Sequence, residues 1–261
     1  MRALYTAASG MNAQQANIDN VANNLANVNT AGFKKSRVDF EDMVYQQIKA
    51  PGSPTSQEAE AALGLESGLG TRAVATVRNF SMGNLRNTSA PLDLAIEGNG
   101  FFQISMPGGE TGYTRAGALH LNAEGGIVTA DGYALEPQIT IPANAESITI
   151  SKDGIVSVSL PNQTAPQQLG TIELAQFQNP AGLEARGGNL FVATSASGDP
   201  VTGVPGTDGM GTIAQGFLED SNVSVVEEMV AMILGQRAYE ANSRVIRAAD
   251  EMLQQVNNLA R

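Results

Sequence analysis

Residues 3–29 read ALYTAASGMNAQQANIDNVANNLANVN, a stretch without proline and with Gly10 as its single glycine. Apolar residues recur every seven positions, with a second set three positions further along, which is the spacing of an amphipathic helix that packs on another helix. The pattern predicts a helix of about 40 Å at 1.5 Å per residue. The two sets contain the candidate packing residues Leu4, Met11, Ile18 and Leu25, then Ala7, Val21 and Val28, with Gln14 at the remaining position.

The polar positions of this predicted helix are almost uncharged. Asp19 is the one charged residue between positions 3 and 33, and seven asparagines lie within residues 12–29. A solvated helix normally carries charges and ion pairs, whereas amides can bond to neighbouring chains when they are partly buried. We expect the helix to end at 29–32, followed by residues that suit a helix terminus: Gly32 as a C-cap, then Lys34, Lys35 and Arg37 near the dipole.

A matching pattern lies at the other end of the chain. It predicts a helix over about 223–258, roughly 50 Å long, in which Ser224 and Glu227 have the spacing of a capping box and Ser221 is the alternative cap. Its candidate packing residues, seven apart, are Val225, Met232, Tyr239, Ile246 and Leu253. Each seam alone is also typical of a helix lying on a globular core. Two such segments at opposite ends favour pairing with each other.

The middle of the chain has the period of two that is typical of strands. From about Thr71 to Phe217, short alternating runs are separated by glycine-rich turns, which predicts an antiparallel sandwich or barrel-like domain. The predicted fold is α+β, with a coiled-coil-like arm of two helices and a β domain inserted between them. The predicted domains are a helical arm at 1–44, a linker or long loop at 45–70, the β domain at 71–217 and a second helical arm at 218–261.

Composition excludes several classes of protein. The net charge of −11 argues against nucleic-acid binding. The chain has no cysteine, so thiolate chemistry and disulfides are excluded, and a single histidine, His120, excludes a histidine-rich metal site. No apolar run indicates a cleaved signal peptide or a membrane-spanning helix, so we expect no membrane insertion. The acidic residues concentrate in the middle, where residues 41–221 carry nineteen acidic and seven basic groups.

Motifs of catalysis or cofactor binding are missing from the sequence. Gly98-Asn99-Gly100 is followed by Gln103 where a dinucleotide fingerprint needs glycine, so we interpret it as a hairpin turn. We expect no catalytic residue, cofactor or metal, and we interpret His120 as a strand residue and Arg115 and Arg237 as ion-pair partners. Two alternatives stay open: a periplasmic carbohydrate-acting enzyme, which needs two close carboxylates, and a binding module whose helices form a dimer.

Four short motifs follow one another along the chain. They lie in 22–34 (Asn24, Asn27, Asn29, Thr30, Gly32, Phe33), in 94–102 (Gly98, Gly100, Phe101, Phe102), in 113–117 (Arg115) and in 236–242 (Gln236, Arg237, Tyr239, Asn242). Together they resemble the motifs of the bacterial flagellar rod and hook proteins. Residues 216–223, GFLEDSNV, and 250–252, DEM, extend the resemblance, which covers essentially the whole chain.

The resemblance implies a structural protein that is exported unfolded by the flagellar type III apparatus without a cleaved signal. Members stack into a hollow helical tube, with the terminal helices inside and the β domain outside. Length favours a subunit of the distal segment of the rod, which transmits torque across the periplasm; a similar-sized proximal rod subunit is the alternative. The implied partners are copies of the chain, proximal rod proteins, the hook protein or hook-side junction, and the L-ring and P-ring proteins.

Overall fold

The computed structural model describes residues 2–51, 54–56, 59–60, 63–161 and 165–259. Helix α1 spans Arg2–Ala26 and helix α2 spans Val225–Leu259. Strands with antiparallel pairing fill the chain between them, so the fold class is α+β, as the sequence predicts. The contacts of the chain divide it into two compact units: unit 1 comprises 1–26, 36–77 and 224–261, and unit 2 comprises 27–35 and 78–223.

The strands are short and follow one another closely along the chain. A 3-10 turn at Pro180–Gly182 lies among them. In chain order they are β1 Ser36–Asp42, β2 Tyr45–Lys49, β3 Pro54–Ser56, β4 Ala59–Glu60, β5 Leu65–Gly68, β6 Thr71–Arg78, β7 Leu85–Asn87, β8 Leu94–Glu97, β9 Phe101–Ser105, β10 Thr111–Thr114, β11 His120–Leu121, β12 Ile127–Val128, β13 Leu135–Glu136, β14 Ser147–Ile150, β15 Ile155–Ser159, β16 Gln167–Thr171, β17 Leu174–Gln176, β18 Glu184–Gly187, β19 Leu190–Val192, β20 Val201–Gly203, β21 Thr212–Gln215 and β22 Phe217–Glu219.

Helix α1 ends earlier than the sequence predicts. Its last residue is Ala26, and a turn follows in which the Thr30 N–H donates to the Asn27 carbonyl at 3.1 Å. The Thr30 hydroxyl donates to Asn27 Oδ1 at 3.2 Å. Asparagine and threonine side chains that bond locally compete with the helical ladder, and this explains the early end. The other helix begins directly after Ser224, whose carbonyl accepts the Glu228 N–H at 3.0 Å.

Unit 1 also contains a ribbon of nested strand pairs. β1 pairs with β6, β2 with β5, and β3 with β4. Tyr45 lies opposite Gly68, and Pro54 lies opposite Glu60. The segment 45–70, which the sequence predicts to be a linker or long loop, therefore contains paired strands. The pairing could not be predicted from the sequence, because the segment is rich in glycine, proline and serine, which are also the residues that turns and loops favour.

Unit 2 is built around a β core. Its largest sheet has the order β18-β19-β10-β9-β17-β20, with β13 also paired to β9. A large apolar cluster includes Ile96, Phe102 and Val158, all fully buried, and β15 alternates buried and half-buried residues as the period of two predicts. A second cluster is aromatic, with Phe101 packed edge-to-face on Phe80, Phe177 and Phe191.

Candidate functional site

Small and polar residues line the interface between α1 and α2, which run antiparallel in unit 1. A Cβ built on Gly10 would lie 2.8 Å from Asn242 Nδ2, and one on Gly235 would lie 3.0 Å from Ile18 Cγ1. The missing side chains therefore let the two helices approach closely. The residues of α2 that face α1 are seven apart, and they are Glu228, Gly235, Asn242 and Ala249.

The helix-packing residues expected from the sequence differ in their burial, and Ile18 is the one that contacts Gly235 in this interface. Val21 is buried, whereas three of the five expected on α2 are exposed. Half-buried are Leu4, Met11, Ile18, Leu25, Val28, Met232 and Ile246; exposed are Val225, Tyr239 and Leu253. Packing of these side chains between copies of the chain stays a prediction.

A continuous strip of large apolar side chains is exposed on the first half of α2. We call this strip the apolar face of α2. It consists of Val226, Met229, Val230, Ile233 and Leu234, whose spacing places them on one side of a helix. Val226 is 72% exposed and Leu234 is 62% exposed. A surface this rich in large apolar residues is typical of a protein–protein contact.

Asn24 connects three elements of unit 1. Its side chain is 1% exposed, and its Nδ2 donates to the Ser36 carbonyl at 2.8 Å and to Glu228 Oε2 at 3.2 Å. The Ser36 N–H donates back to Asn24 Oδ1 at 3.0 Å. The Ser36 hydroxyl donates to Asn20 Oδ1 at 2.8 Å. This network fixes the start of β1 and the first turn of α2 against α1, and it gives the uncharged amide face a structural role within the chain.

Unit 2 contains a buried ion cluster made of Lys34, Arg115 and Glu219. Lys34 Nζ lies 2.5 Å from Glu219 Oε1, and Arg115 Nη1 lies 3.4 Å from Glu219 Oε2. All three side chains are at most 2% exposed. The Gly83 N–H donates to the same carboxylate at 2.8 Å. One carboxylate therefore forms ion pairs with two cations, and each cation needs further hydrogen-bond acceptors.

Backbone carbonyls supply those acceptors. Lys34 Nζ donates to the Ser81 carbonyl at 2.7 Å, and Arg115 Nη2 donates to the Gly98 carbonyl at 2.7 Å. Burial lowers the pKa of Lys34 in spite of the opposing attraction of Glu219, and the positive charge of Arg115 lowers it further. Burial also lowers the pKa of Arg115, again against Glu219. The guanidinium of Arg115 lies over the Phe101 ring at 5.5 Å from its centroid.

The ion cluster collects residues from separate motifs of the sequence. Lys34 is the last residue of the first motif, Arg115 belongs to the third, and Glu219 lies in the segment before α2. Gly98, whose carbonyl accepts from Arg115, belongs to the second motif. The Gly32 N–H donates to the Glu219 carbonyl at 2.7 Å. Motifs far apart in sequence thus meet at one buried carboxylate.

Two expectations about the first motif are wrong. Gly32 is not a helix C-cap, because α1 ends at Ala26; Gly32 instead has a φ of +72°, and a Cβ there would lie 2.6 Å from the Ala116 nitrogen. Lys34 does not lie at a helix dipole but is buried on Glu219. The helix stops before it reaches either residue, and the chain turns into the β core.

The turn at Gly98-Asn99-Gly100 is also not a hairpin. The preceding strand β8 pairs with β21, and the following strand β9 pairs with β10 and β17. The turn therefore leads from one sheet into another. Both glycines have positive φ, 116° and 138°, which explains why glycine stands at these two positions.

The other motif residues have varied surroundings. Arg115 forms the ion pair that its residue type suggests, whereas Arg237 is exposed. His120 lies in β11 and is exposed. Of the remaining residues, Gly100, Phe101 and Phe102 are buried; Asn27, Thr30, Phe33 and Asn242 are half-buried; and Asn29, Gln236 and Tyr239 are exposed.

The sequence did not predict the acidic and hydroxyl partners in the Asn24 network and in the ion cluster. The burial of Glu219 and Glu228 could not be predicted, because a carboxylate in a polar segment is usually solvated. The apolar strand Phe217-Leu218 directly before Glu219 is the one signal that could have indicated burial. Ser36 carries no signal at all, since it acts partly through its backbone.

Within the described residues, no three His, Cys, Asp or Glu side chains lie close enough together to hold a metal ion. Neither of the two α-helices in those residues combines the length and the hydrophobicity of a membrane-spanning segment.

Comparison with known proteins identifies the class. Three family descriptions match in chain order: "Flagella basal body rod protein" over residues 4–34, "Flagellar hook protein FlgE/F/G D1 domain" over 95–158, and "Flagellar basal body rod FlgEFG protein C-terminal" over 214–259. The first and last cover the paired helices, and the middle one covers a large part of the β core. The chain has the plan of a flagellar axial protein.

Relatives that match over their full length show which family of flagellar axial proteins the chain belongs to. The chain is 50% identical to the flagellar basal-body rod protein FlgG of Borreliella burgdorferi, over 100% of this chain and 99% of the relative. It is 50% identical to FlgG of Caulobacter vibrioides over 99% of both chains, and 40% identical to FlgG of Bacillus subtilis over 100% of both. The chain belongs to the flagellar basal-body rod protein family.

Proposed function

We propose that the chain is a structural, non-enzymatic subunit of the distal segment of the flagellar rod. Copies of it stack into a hollow helical tube that transmits motor torque across the periplasm to the hook. FlgG relatives at 40–50% identity over nearly the whole chain support this function over that of the similar-sized proximal rod subunit. The domains expected from the sequence then correspond to an inner helical layer and an outer β layer.

The observation that carries the proposal is the apolar face of α2. Its five large side chains are exposed in the isolated chain, and burying them removes apolar surface from water at about 25 cal/mol per Å². Helix α1 contributes a surface with almost no charge, so that neighbouring copies meet little electrostatic cost. Further coiled-coil-like contacts between copies would then use Val225, Tyr239 and Leu253.

The other partners follow from this position in the rod. Proximal rod proteins lie below the tube, the hook protein or hook-side junction lies above it, and the L-ring and P-ring proteins surround it. Export by the flagellar type III apparatus brings the chain to its place without a cleaved signal peptide. The excess of acidic groups in residues 41–221 suits an outer, solvated layer.

Substitution of Leu234 by Asp tests the proposal. Because the side chain is 62% exposed, Leu234→Asp should leave the helical circular dichroism and melting temperature of the monomer nearly unchanged. In an assembly the new carboxylate would be buried at every repeated contact, at a cost of several kcal/mol each. Concentrated wild-type protein should form tubes in electron microscopy, and the variant should form none.

Gln254→Asp is the matched control, since it introduces the same charge at another exposed position of α2. It should assemble nearly as wild type. Tubes formed by Leu234→Asp at wild-type concentration would contradict the assigned role of the apolar face. A wild-type chain that stays monomeric at every concentration would contradict the proposed function itself.

A further inference from the structure

A cavity of about 300 Å³ lies in unit 2, next to the buried ion cluster. Its apolar wall is formed by Phe33, Leu190 and Phe191, and its polar lining includes Arg78 and Lys34. On another side the turn Gly187-Gly188-Asn189 borders it, with three successive positive φ angles of 92°, 59° and 58°. The cavity thus combines an apolar surface with the guanidinium-bearing residue Arg78, which suits a ligand that has both a charged and an apolar part.

Most polar groups around this cavity already have partners. Lys34 is bonded to Glu219 and to the Ser81 carbonyl. The Asn189 side chain donates to the Ala31 carbonyl at 3.0 Å, and its carbonyl accepts the Thr114 hydroxyl at 2.8 Å. These groups shape the cavity but have little capacity left for a ligand.

Arg78 is the exception. Its guanidinium lies over the Phe191 ring at 5.4 Å from the centroid, and burial lowers its pKa. Within the described part of the chain, no carboxylate lies within 4.0 Å of it and no acceptor is hydrogen-bonded to it. Stacking on an aromatic ring holds a guanidinium in place, so its donors are oriented before any ligand arrives.

The charges around the cavity are unbalanced. Lys34, Arg78 and Arg115 bring three positive charges, and Glu219 brings one negative charge to the ion cluster. Asp131 approaches the turn from the Gly188 side, with Oδ2 3.3 Å from the position of a Cβ on that glycine, but it does not line the cavity. One more carboxylate beside Arg78 would reduce this excess of positive charge.

We propose that this cavity binds a carboxylate side chain of a second copy of the chain, with Arg78 as its anchor. The inference rests on the proposed function, because an assembly supplies the second copy. Charge complementarity selects this occupant: residues 41–221 carry nineteen acidic but only seven basic groups, so a neighbour presents many carboxylates and few competing cations. The guanidinium of Arg78 donates hydrogen bonds to the carboxylate oxygens, and the apolar wall packs against the methylene groups of the same side chain.

Substitution of Arg78 tests the inference through assembly. Arg78→Ala should raise the concentration at which full-length protein assembles by about tenfold or more, the loss expected for one charge-assisted contact per interface. Arg78→Lys should give an intermediate value, because it keeps the charge but not the forked donors. Arg186→Ala is the matched control: it removes one positive charge close by, from an exposed side chain 3.4 Å from Glu184. It should assemble at the wild-type concentration, and all three monomers should melt alike.

A labelling experiment gives an independent measurement. The chain contains no cysteine, so Ala185→Cys places a single thiol on the exposed rim of the cavity. A maleimide should react with this thiol at least about tenfold more slowly in assembled protein than in the same protein after dissociation, because the neighbour covers the rim.

The outcomes separate the two proposals. In one outcome the wild-type protein assembles, Arg78→Ala assembles like Arg186→Ala, and the thiol at position 185 reacts equally fast in assembled and dissociated protein. This outcome overturns the role of the cavity and leaves the proposed function intact. A wild-type chain that never assembles overturns both. Lower assembly of Arg78→Ala together with a lower melting temperature of its monomer also counts against the inference, since the arginine then serves the fold.

Discussion

The β core of unit 2 and the helix pair of unit 1 differ in how far they bury their large apolar residues. In unit 2, Ile96, Phe102 and Val158 are all 0% exposed, and the core is closed by its own chain. In unit 1, Val230 and Ile233 of α2 are each 52% exposed, although α2 has a partner in α1. Helix pairing uses small and polar residues instead. Unit 2 therefore buries its large apolar residues within itself, whereas unit 1 leaves large apolar residues of α2 exposed.

The polar contacts of the two units differ as well. Unit 1 uses the neutral amide of Asn24 to join α1, β1 and α2, with one carboxylate at the edge of the network. Unit 2 places full charges in its interior, on Lys34, Arg115 and Glu219. A buried charge is costly to leave unpaired, whereas an amide loses only its hydrogen bonds. The free energy of unfolding should therefore be more sensitive to change in unit 2.

Glu219→Gln tests this sensitivity and has the largest expected effect. The substitution keeps the volume but leaves two buried cations without a counter-charge, so the free energy of unfolding should fall by about 3–5 kcal/mol. Urea unfolding of the monomer, followed by circular dichroism in the β region, measures the loss.

Asp220→Asn is the matched control for this prediction. Asp220 follows Glu219 directly and pairs with Arg86 at 3.0 Å, but both side chains are more than a third exposed. An exposed pair contributes about 0–1 kcal/mol. Equal losses for the two variants would remove the distinction between the ion cluster and the surface.

Asn24→Ala tests the corresponding junction of unit 1. It removes the donor to Glu228 and to the Ser36 carbonyl and leaves the Ser36 N–H without an acceptor, which should cost about 1–3 kcal/mol. The loss should show in the helical signal at 222 nm during urea unfolding, before the β signal changes.

Asn12→Ala provides the control on the same helix. Asn12 is exposed, so its replacement should change the free energy of unfolding by less than about 0.5 kcal/mol. If Asn24→Ala were as mild as Asn12→Ala, the amide network would have no role in holding α1, β1 and α2 together.

The sequence predicted the elements of this fold better than their contacts. Heptad spacing located α1 and α2 because it depends on local periodicity, and the alternation of β15 followed in the same way. The residues that face each other between the helices could not be read from the pattern, because the close approach depends on Gly10 and Gly235, which carry no hydrophobic signal. The ion cluster was equally hidden, since Lys34 and Glu219 are 185 positions apart.

The smallest expected effect concerns the pH dependence of unit 2. Burial raises the pKa of Tyr113 above its ordinary value of 10.0, and the charge of Glu136 raises it further. Tyr113 packs edge-to-face on Phe177, with ring centroids 4.8 Å apart. Well below pH 10 the phenol keeps its proton in both states and its contribution is constant. As the pH rises further, the unfolded chain releases this proton first, so the free energy of unfolding falls.

Tyr113→Phe removes that titration while it keeps the ring contact. Urea unfolding at pH 8 and at pH 10.5 should show a smaller alkaline loss of stability for the variant than for the wild type. Tyr5→Phe controls for the removal of one tyrosine, since Tyr5 lies on α1 and is 74% exposed. Lys34 opposes this trend, because its lowered pKa makes the folded state bind fewer protons at alkaline pH. It contributes equally to wild type and variant, so their difference isolates Tyr113. A difference that does not change with pH would mean that the buried phenol gains nothing from staying neutral in the aromatic cluster.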